Sequence, residues 1–200
     1  MRDRSMATVL ALLLCMIGCA KQGATPAPNE AAQPGTGAAG EGAAALAAPT
    51  VPAEISLPEG HKLTFVAAAK GVQIYECAAD ASGALAWKLH APRADLLDDS
   101  GASIGSHYGG VDKGLPPGPY WEAKDGSRVH AAKPASVPNT GSIPLLRLEA
   151  ADTSGTGVFG KVAFIHRLDT TGGVAPAGAC ETGKQTEVSY TAKYYFYSTP

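Results

Sequence analysis

The sequence predicts an all-β fold: an antiparallel sandwich or barrel of eight or more short strands, with at most short helical turns. Beyond residue 50, short windows of apolar, β-branched and aromatic residues alternate with polar ones. Clusters of Gly, Asp, Ser and Thr separate these windows and indicate turns. No window there keeps a helical period long enough for a stable helix, and charged residues make up only 17% of the chain, which argues against a coiled coil or helical bundle.

The first 19 residues have the layout of a secretory signal. Arg2 and Arg4 give a basic start, and the apolar run Val9–Ile17 follows. As a helix this run would rise about 13 Å, which is too short to cross a hydrocarbon core of about 30 Å. The sequence therefore predicts a cleavable signal peptide rather than a membrane-spanning helix.

Cys19 is predicted to be a lipidation site. The segment Met16–Cys19 resembles the bacterial lipoprotein box, in which an aliphatic residue and residues of modest size precede the cysteine. The resemblance implies that Cys19 carries diacylglycerol and that its acyl chains anchor the protein in a membrane. Because Ala20 rather than aspartate follows, it also implies the outer membrane, facing the periplasm. The alternative is an ordinary secreted protein that is cleaved nearby.

Residues 20–50 are predicted to be a disordered linker. The segment is rich in Ala, Gly and Pro, has no aromatic residue, and cannot bury enough apolar surface to offset the entropy of ordering it. Residues 51–200 then form a single β domain, which is large enough to fold without a metal. The formal net charge of −2 excludes the strongly basic field of a sequence-independent nucleic-acid binder, so no nucleic-acid partner is expected.

Cys77 and Cys180 are the two cysteines of the predicted domain. An even pair of cysteines in an exported protein is most simply a disulfide. The bond would join an early strand to the bend before the last strand, and it would clamp the beginning of the fold to its end. Two free buried thiols are the alternative.

Several segments have strand patterns. The strongest are 71–77, 161–167 and 187–197. Weaker candidates share a shorter alternation of apolar and polar residues: 63–68, 87–91, 104–108, 127–131 and 145–150. Between these segments, Pro92–Leu97 is predicted to form one short helical turn.

Motif spacing argues against nucleotide and metal chemistry. Gly155–Gly160 matches GxGxxG, but a dinucleotide fingerprint requires a helix after it, and here a strand pattern follows at Lys161–Leu168. We therefore expect a hairpin bend and no nicotinamide-dependent dehydrogenase. The five histidines and the cysteines show no zinc-ligand spacing, so no metal and no other cofactor are expected.

The segment 105–130 carries the candidate ligand-binding residues. His107, Trp121, Glu122 and Asp125 lie in two short stretches joined by a loop rich in Gly and Pro, and such loops often carry function. An aromatic face flanked by carboxylates suits a sugar, because the ring can stack while the carboxylates accept hydrogen bonds. In the alternative interpretation Trp121 is core, Asp125 shapes a turn and His107 serves a buried backbone group.

A second polar group, Arg167 and Asp169, follows an apolar strand. The two residues either form an ion pair at the strand end or flank a pocket. In the last strand candidate, tyrosines alternate with threonine and lysine, and core packing with cross-strand pairing accounts for them without a ligand.

The domain resembles a known family over residues 55–197. The strings that carry the resemblance occur in this order: Leu57-Pro-Glu-Gly60, Gly71-Val-Gln-Ile-Tyr-Glu-Cys77, His107-Tyr108, Gly118-Pro-x-Trp-Glu122, Asp125-Gly-Ser127, Cys180 and Tyr190-x-Ala-x-Tyr-Tyr-Phe-Tyr197. Together they resemble the bacterial and fungal domain-of-unknown-function family DUF3455. The resemblance implies an exported protein, and it brings no established activity with it.

Three functions are compatible with these patterns. The favoured one is an envelope lipoprotein that binds a glycan or another small polar ligand through His107, Trp121, Glu122 and Asp125. The second is an enzyme that acts on an envelope polymer, with Glu122 or Asp125 and His107 as acid and base. Placement of His107 and Glu122 on opposite faces would argue against it. The third is a structural or partner-binding lipoprotein, which a flat apolar patch without a pocket would indicate.

Overall fold

The computed structural model describes residues 46–199. The predicted signal peptide 1–19, with its lipidation site Cys19, lies outside the described residues, and so does the predicted linker up to residue 45. These parts of the sequence analysis stay predictions. Residues 46–52 have no regular secondary structure, and a 3-10 turn follows at Ala53–Ile55.

Eight antiparallel strands form one closed barrel in which each strand pairs with its neighbour in the chain. They are β1 (Lys62–Ala79), β2 (Leu85–Leu97), β3 (Ser103–Gly109), β4 (Pro119–Ala123), β5 (Arg128–Asn139), β6 (Ser142–Ser154), β7 (Val162–Gly172) and β8 (Gln185–Ser198). β8 also pairs with β1 and so closes the barrel. The predicted all-β class is confirmed. Across residues 46–199, no helix is long and apolar enough to span a membrane.

Two strand positions differ from the sequence analysis. Pro92–Leu97, predicted to form a helical turn, is the second half of β2, because its residues pair with both β1 and β3 and this long-range pairing overrides local turn propensity. Pro119–Ala123, which had no predicted strand, forms β4. Its proline occupies the first strand position, where a missing N–H is tolerated. Some strands are also long, and β1 reaches 18 residues.

Alternation along the strands decides which side chains face the barrel interior. In β8, Tyr190, Ala192, Tyr194 and Phe196 are buried in the core, whereas the intervening Thr191 and Lys193 are exposed. Neighbouring strands continue this inner face in register. The inner face is therefore continuous around the barrel.

Aromatic rings fill one end of the interior, here called the filled end. Phe65, Phe159 and Phe196 pack together there, with ring centroids 5.7 Å apart for Phe65 and Phe159 and 4.6 Å apart for Phe159 and Phe196. Phe159 is fully buried and comes from the Gly155–Gly160 segment between β6 and β7. The predicted hairpin bend at the GxGxxG pattern is confirmed, and it supplies a core residue.

A disulfide and hydrogen bonds hold the opposite end. Cys77, near the end of β1, is bonded to Cys180, 103 residues later, with a Cα–Cα distance of 5.8 Å. The predicted disulfide is confirmed. The Tyr75 hydroxyl donates a hydrogen bond to the carbonyl oxygen of Gly173 at 2.6 Å. Both contacts tie β1 to the segment between β7 and β8.

Candidate functional site

The interior is hollow at the end opposite the filled end, here called the hollow end. A cavity of about 500 Å³ lies there, and residues from all eight strands and from the β3–β4 loop line it. Small-molecule sites typically enclose about 300–1,000 Å³. Most of the lining side chains of this barrel cavity are apolar, and they include Leu89, Pro92, Val111, Pro119, Leu146 and Leu148.

The cavity exists because some residues on the inner face of the barrel have small side chains. Ala94, His107, Trp121 and Val129 are successive cross-strand neighbours on β2 to β5, and all are buried. Beyond this row, towards the hollow end, the cavity lining includes Gly109 on β3 and Ala131 on β5. An eight-stranded barrel is just wide enough to be filled by side chains or to hold one small ligand. Because the side chains of Gly109 and Ala131 are small, they leave a volume that aromatic rings occupy at the filled end.

A cluster of three rings contributes to the cavity wall. The His107 and Trp121 rings are stacked with centroids 4.3 Å apart, and the Tyr194 ring lies 5.0 Å from His107 and 5.2 Å from Trp121. All three side chains line the cavity and are at most 2% exposed. Two of the four predicted site residues, His107 and Trp121, therefore face the same cavity.

His107 is a neutral residue in this environment. Its Nδ1–H donates a hydrogen bond to the carbonyl oxygen of Tyr120 at 2.8 Å. Burial, assisted by the positive charge of Arg167, lowers the pKa of His107 to about 3. With the proton on Nδ1, Nε2 of the neutral ring is an acceptor. The imidazole therefore supplies no positive charge at neutral pH.

The guanidinium of Arg167 is a positively charged group at the barrel cavity. It pairs across the sheet with Tyr194, and it lines the cavity. Asp169, two residues later, has a positive φ of 50° and makes no ion pair with Arg167 within 4.0 Å. Of the two interpretations of this pair, the structure favours the pocket. Burial raises the pKa of the Tyr194 hydroxyl, and Arg167 offsets part of that rise.

Two buried donors at the cavity lack hydrogen-bond partners among residues 46–199. They are Nε2 of Gln73 and Nε1 of Trp121, and each residue is only 1% exposed. Leaving a buried donor unsatisfied costs about 1–3 kcal/mol. The sequence analysis did not propose Gln73 as a site residue. A signal was available, because Gln73 shares its strand face with Cys77, and cysteine is among the residue types most often buried.

Glu122 lies on the outer face of the barrel, away from His107. It follows Trp121 in β4, and its carboxylate accepts a hydrogen bond from the Tyr108 hydroxyl at 2.5 Å. Burial and this hydrogen bond raise the pKa of Tyr108 to about 12. The Tyr108 and Tyr120 rings stack in parallel beside it, with centroids 5.7 Å apart. Glu122 thus belongs to an outer aromatic group rather than to the cavity.

Asp125 shapes the β4–β5 turn. Its Oδ1 accepts hydrogen bonds from the backbone N–H and hydroxyl of Ser127, at 2.8 and 2.6 Å, and its Oδ2 accepts one from the N–H of Val158 at 2.9 Å. These bonds lower the pKa of the Asp125 carboxyl. They also fix the segment that carries Phe159 into the core, which is the turn role that the sequence analysis weighed as the alternative.

The four predicted site residues therefore occupy three places. His107 and Trp121 face the cavity, Glu122 faces outward and Asp125 lies in a turn. Since His107 and Glu122 are on opposite faces of the sheet, the arrangement gives no support to an acid–base pair made of these two side chains. Within residues 46–199, no group of three His, Cys, Asp or Glu side chains is placed to hold a metal ion.

A groove of about 580 Å³ on the outer face of β1 to β3 is another concavity of similar size. Charges of both signs line it, including Lys70, Arg93 and Asp95. Arg93 is already paired with Glu187 at 2.7 Å and is largely exposed. We consider the barrel cavity the stronger candidate site, because the unpartnered buried donors lie there and not in the groove.

Comparison with known proteins identifies a family. A family model described as "Protein of unknown function (DUF3455)" matches residues 58–198. The match includes all eight strands and both cysteines of the disulfide. Searches of curated proteins and of solved structures returned no match. The chain therefore belongs to the DUF3455 family, whose function is unknown.

Proposed function

We propose that this protein binds a small molecule inside the barrel. The observation that carries the proposal is the barrel cavity of about 500 Å³, into which eight strands direct mostly apolar side chains and a few polar groups. Ligand sites are typically concave and apolar, with a small number of polar groups that fix orientation. The unpartnered donors of Gln73 and Trp121 are such groups.

The buried inner wall of the cavity favours a compact ligand over a glycan chain. Trp121 is 1% exposed, so its ring offers no open stacking surface to a polymer. Glu122 and Asp125 already have hydrogen-bond partners outside the cavity. The sequence analysis named a glycan or another small polar ligand, and of these the small ligand therefore has more support.

The ligand test requires a soluble form of the protein. The full chain carrying Cys15→Ser and Cys19→Ser, here called the unlipidated chain, loses the predicted lipidation site and keeps Cys77 and Cys180 as its only cysteines. N-phenyl-1-naphthylamine, a neutral apolar dye that brightens in apolar surroundings, is the probe. We expect saturable binding of one dye per chain.

A cavity-filling variant locates the bound dye. Ala131 is fully buried and lines the cavity, so Ala131→Leu reduces the available volume. Ala86→Leu adds the same isopropyl group at an exposed position of β2 and is the matched control. We expect Ala131→Leu to weaken dye binding by about tenfold or more, since lost space forces strain, and Ala86→Leu to leave it unchanged. Dye binding that is absent in the unlipidated chain, or equal in both variants, would refute the proposal.

We also propose that the protein is a lipoprotein of the cell envelope, attached to the outer membrane through Cys19. The support is the Met16–Cys19 lipoprotein box and the confirmed disulfide, which is typical of oxidising compartments. In a two-membrane bacterium that expresses the natural chain, we expect radiolabelled palmitate in the protein and its loss in Cys19→Ser. Equal labelling of both chains, or none of either, would contradict the anchor.

A further inference from the structure

Arg167 is a cation without an anionic partner in the described part of the chain. Its Nε–H and one Nη–H donate to the carbonyl oxygen of Pro144, at 3.1 and 2.9 Å. These bonds use two of the five N–H donors of a guanidinium. Within residues 46–199 no carboxylate lies within 4.0 Å of Arg167. The side chain therefore brings an uncompensated charge and free donors to the cavity.

The polar groups around this cation are suited to an anion. Gln73 and Trp121 each offer an unpartnered N–H in the same cavity. His107, which also lines the cavity, is neutral and adds no second positive charge. One cation with several neutral donors matches a single negative charge on an oxygen-rich group, and guanidinium–carboxylate hydrogen bonds are among the stronger ones.

The remaining lining is suited to an alkyl chain. Leu146 and Leu148 line the cavity wall, and Leu89 and Val111 line the same cavity while remaining 55% and 53% exposed. Large apolar side chains that stay this exposed at the edge of a cavity mark its mouth as apolar. A ligand with a hydrocarbon tail would cover them.

We infer that the barrel cavity binds an amphiphilic monocarboxylate, with its carboxylate on Arg167, Gln73 and Trp121 and its alkyl chain directed towards Leu89 and Val111. This inference rests on the proposed small-molecule function and names the chemical class of the ligand.

The test compares two probes that differ in charge. Decanoate and decanol have the same chain length, and each is titrated against dye-loaded unlipidated chain at pH 7.5. We expect decanoate to displace the dye with a Kd at least about tenfold lower than that of decanol, because only decanoate pairs with the guanidinium. A Trp87→Phe background leaves Trp121 as the single indole, whose fluorescence reports binding independently.

An arginine variant and a matched control assign the effect to one side chain. Arg167→Met keeps a flexible, unbranched side chain and removes its charge, and we expect it to weaken decanoate binding about tenfold while decanol changes little. Arg93→Met makes the same substitution on the exposed outer face and should change neither ligand. Circular dichroism in the aromatic region checks that each variant is folded.

The outcomes distinguish failure of the carboxylate inference from failure of the proposed small-molecule function. If the dye binds but decanoate and decanol bind alike, or if Arg167→Met has no effect on their ratio, the carboxylate inference is wrong and small-molecule binding stands. If neither the dye nor either probe binds, both proposals are wrong. A preference for decanoate that disappears equally in Arg93→Met would also refute the role of Arg167.

Discussion

At the filled end of the barrel Phe65, Phe159 and Phe196 pack ring against ring, whereas at the hollow end a cavity of about 500 Å³ takes the place of packed side chains. At the filled end, burial of these aromatic rings provides the stability. The hollow end has less packing and contains unsatisfied donors, and it is held by the Cys77–Cys180 bond and the Tyr75–Gly173 hydrogen bond instead. The difference teaches that a cross-link can hold together a region that side chains do not fill.

Removing the disulfide should have the largest effect on stability. For a loop of about 100 residues the chain-entropy model gives about 4.7 kcal/mol, so Cys77→Ser with Cys180→Ser should lower the free energy of unfolding by roughly 4–5 kcal/mol in urea titrations. The rate of amide hydrogen exchange should rise most at the end of β1 that carries Cys77 and least around Phe196. Equal acceleration at both ends would contradict the division of roles.

Truncating apolar residues should cost more at the filled end. Phe196→Ala is expected to lower the free energy of unfolding by about 3–5 kcal/mol, because it opens a new void among packed rings. Leu146→Ala only enlarges an existing cavity and should cost about 2 kcal/mol or less. Urea unfolding of both variants measures the two losses, and losses of equal size would mean that the two ends are packed alike.

His107 should make stability depend on pH. Its pKa is about 3 in the folded chain, against the ordinary value of 6.5. Below pH 6.5 the unfolded chain binds a proton that the folded chain does not, so stability falls as the pH falls, by about 1.4 kcal/mol per unit. At pH 5 the loss attributable to His107 is about 2 kcal/mol.

His107→Gln provides the comparison for this pH effect. Glutamine can still donate to the Tyr120 carbonyl oxygen but does not titrate. The variant should lose less stability than the parent between pH 7 and pH 5 in urea unfolding. It should keep a remaining slope from His166, whose pKa burial also lowers. An unchanged slope would show that His107 titrates alike in the folded and unfolded chains, and it would contradict the lowered pKa.

Gln73→Met should have the smallest effect and the opposite sign. It removes the unpartnered Nε2 from the ligand-free cavity, and we expect stability to rise by about 1 kcal/mol. Decanoate binding should weaken in the same variant. Gln185→Met, at an exposed position of β8, is the control and should change neither. A marked destabilisation by Gln73→Met would mean that the glutamine is satisfied in the cavity.

The sequence was sufficient for the all-β class and for the disulfide. Turn clusters and two-residue alternation are local signals, and a pair of cysteines in one domain has only one partner choice. The sequence could not show whether the sheet forms a closed barrel or a sandwich. That choice depends on pairing between β1 and β8, which lie over 100 residues apart in the chain. The full length of β1 was also missed, because Lys70 and Gly71 interrupt the apolar pattern and divided the strand into the candidates 63–68 and 71–77.

Only part of the candidate site was predicted, and the reason is geometric. His107 and Trp121 face the cavity, but Trp121 and Glu122 are consecutive strand residues and so must face opposite sides. Recognising β4 would have separated them. Arg167 was noted at a strand end, but only the fold shows that it faces inward and lines the same cavity as Gln73.

The position of a bound probe tests the interior site most directly. Carbon-13-labelled decanoate on the unlipidated chain can be located by isotope-filtered nuclear Overhauser spectroscopy. The account predicts cross-peaks from the decanoate methylene protons to the rings of Trp121 and Tyr194 and to the methyl groups of Leu89 and Val111. Cross-peaks confined to the outer rings of Tyr108 and Tyr120 would contradict it.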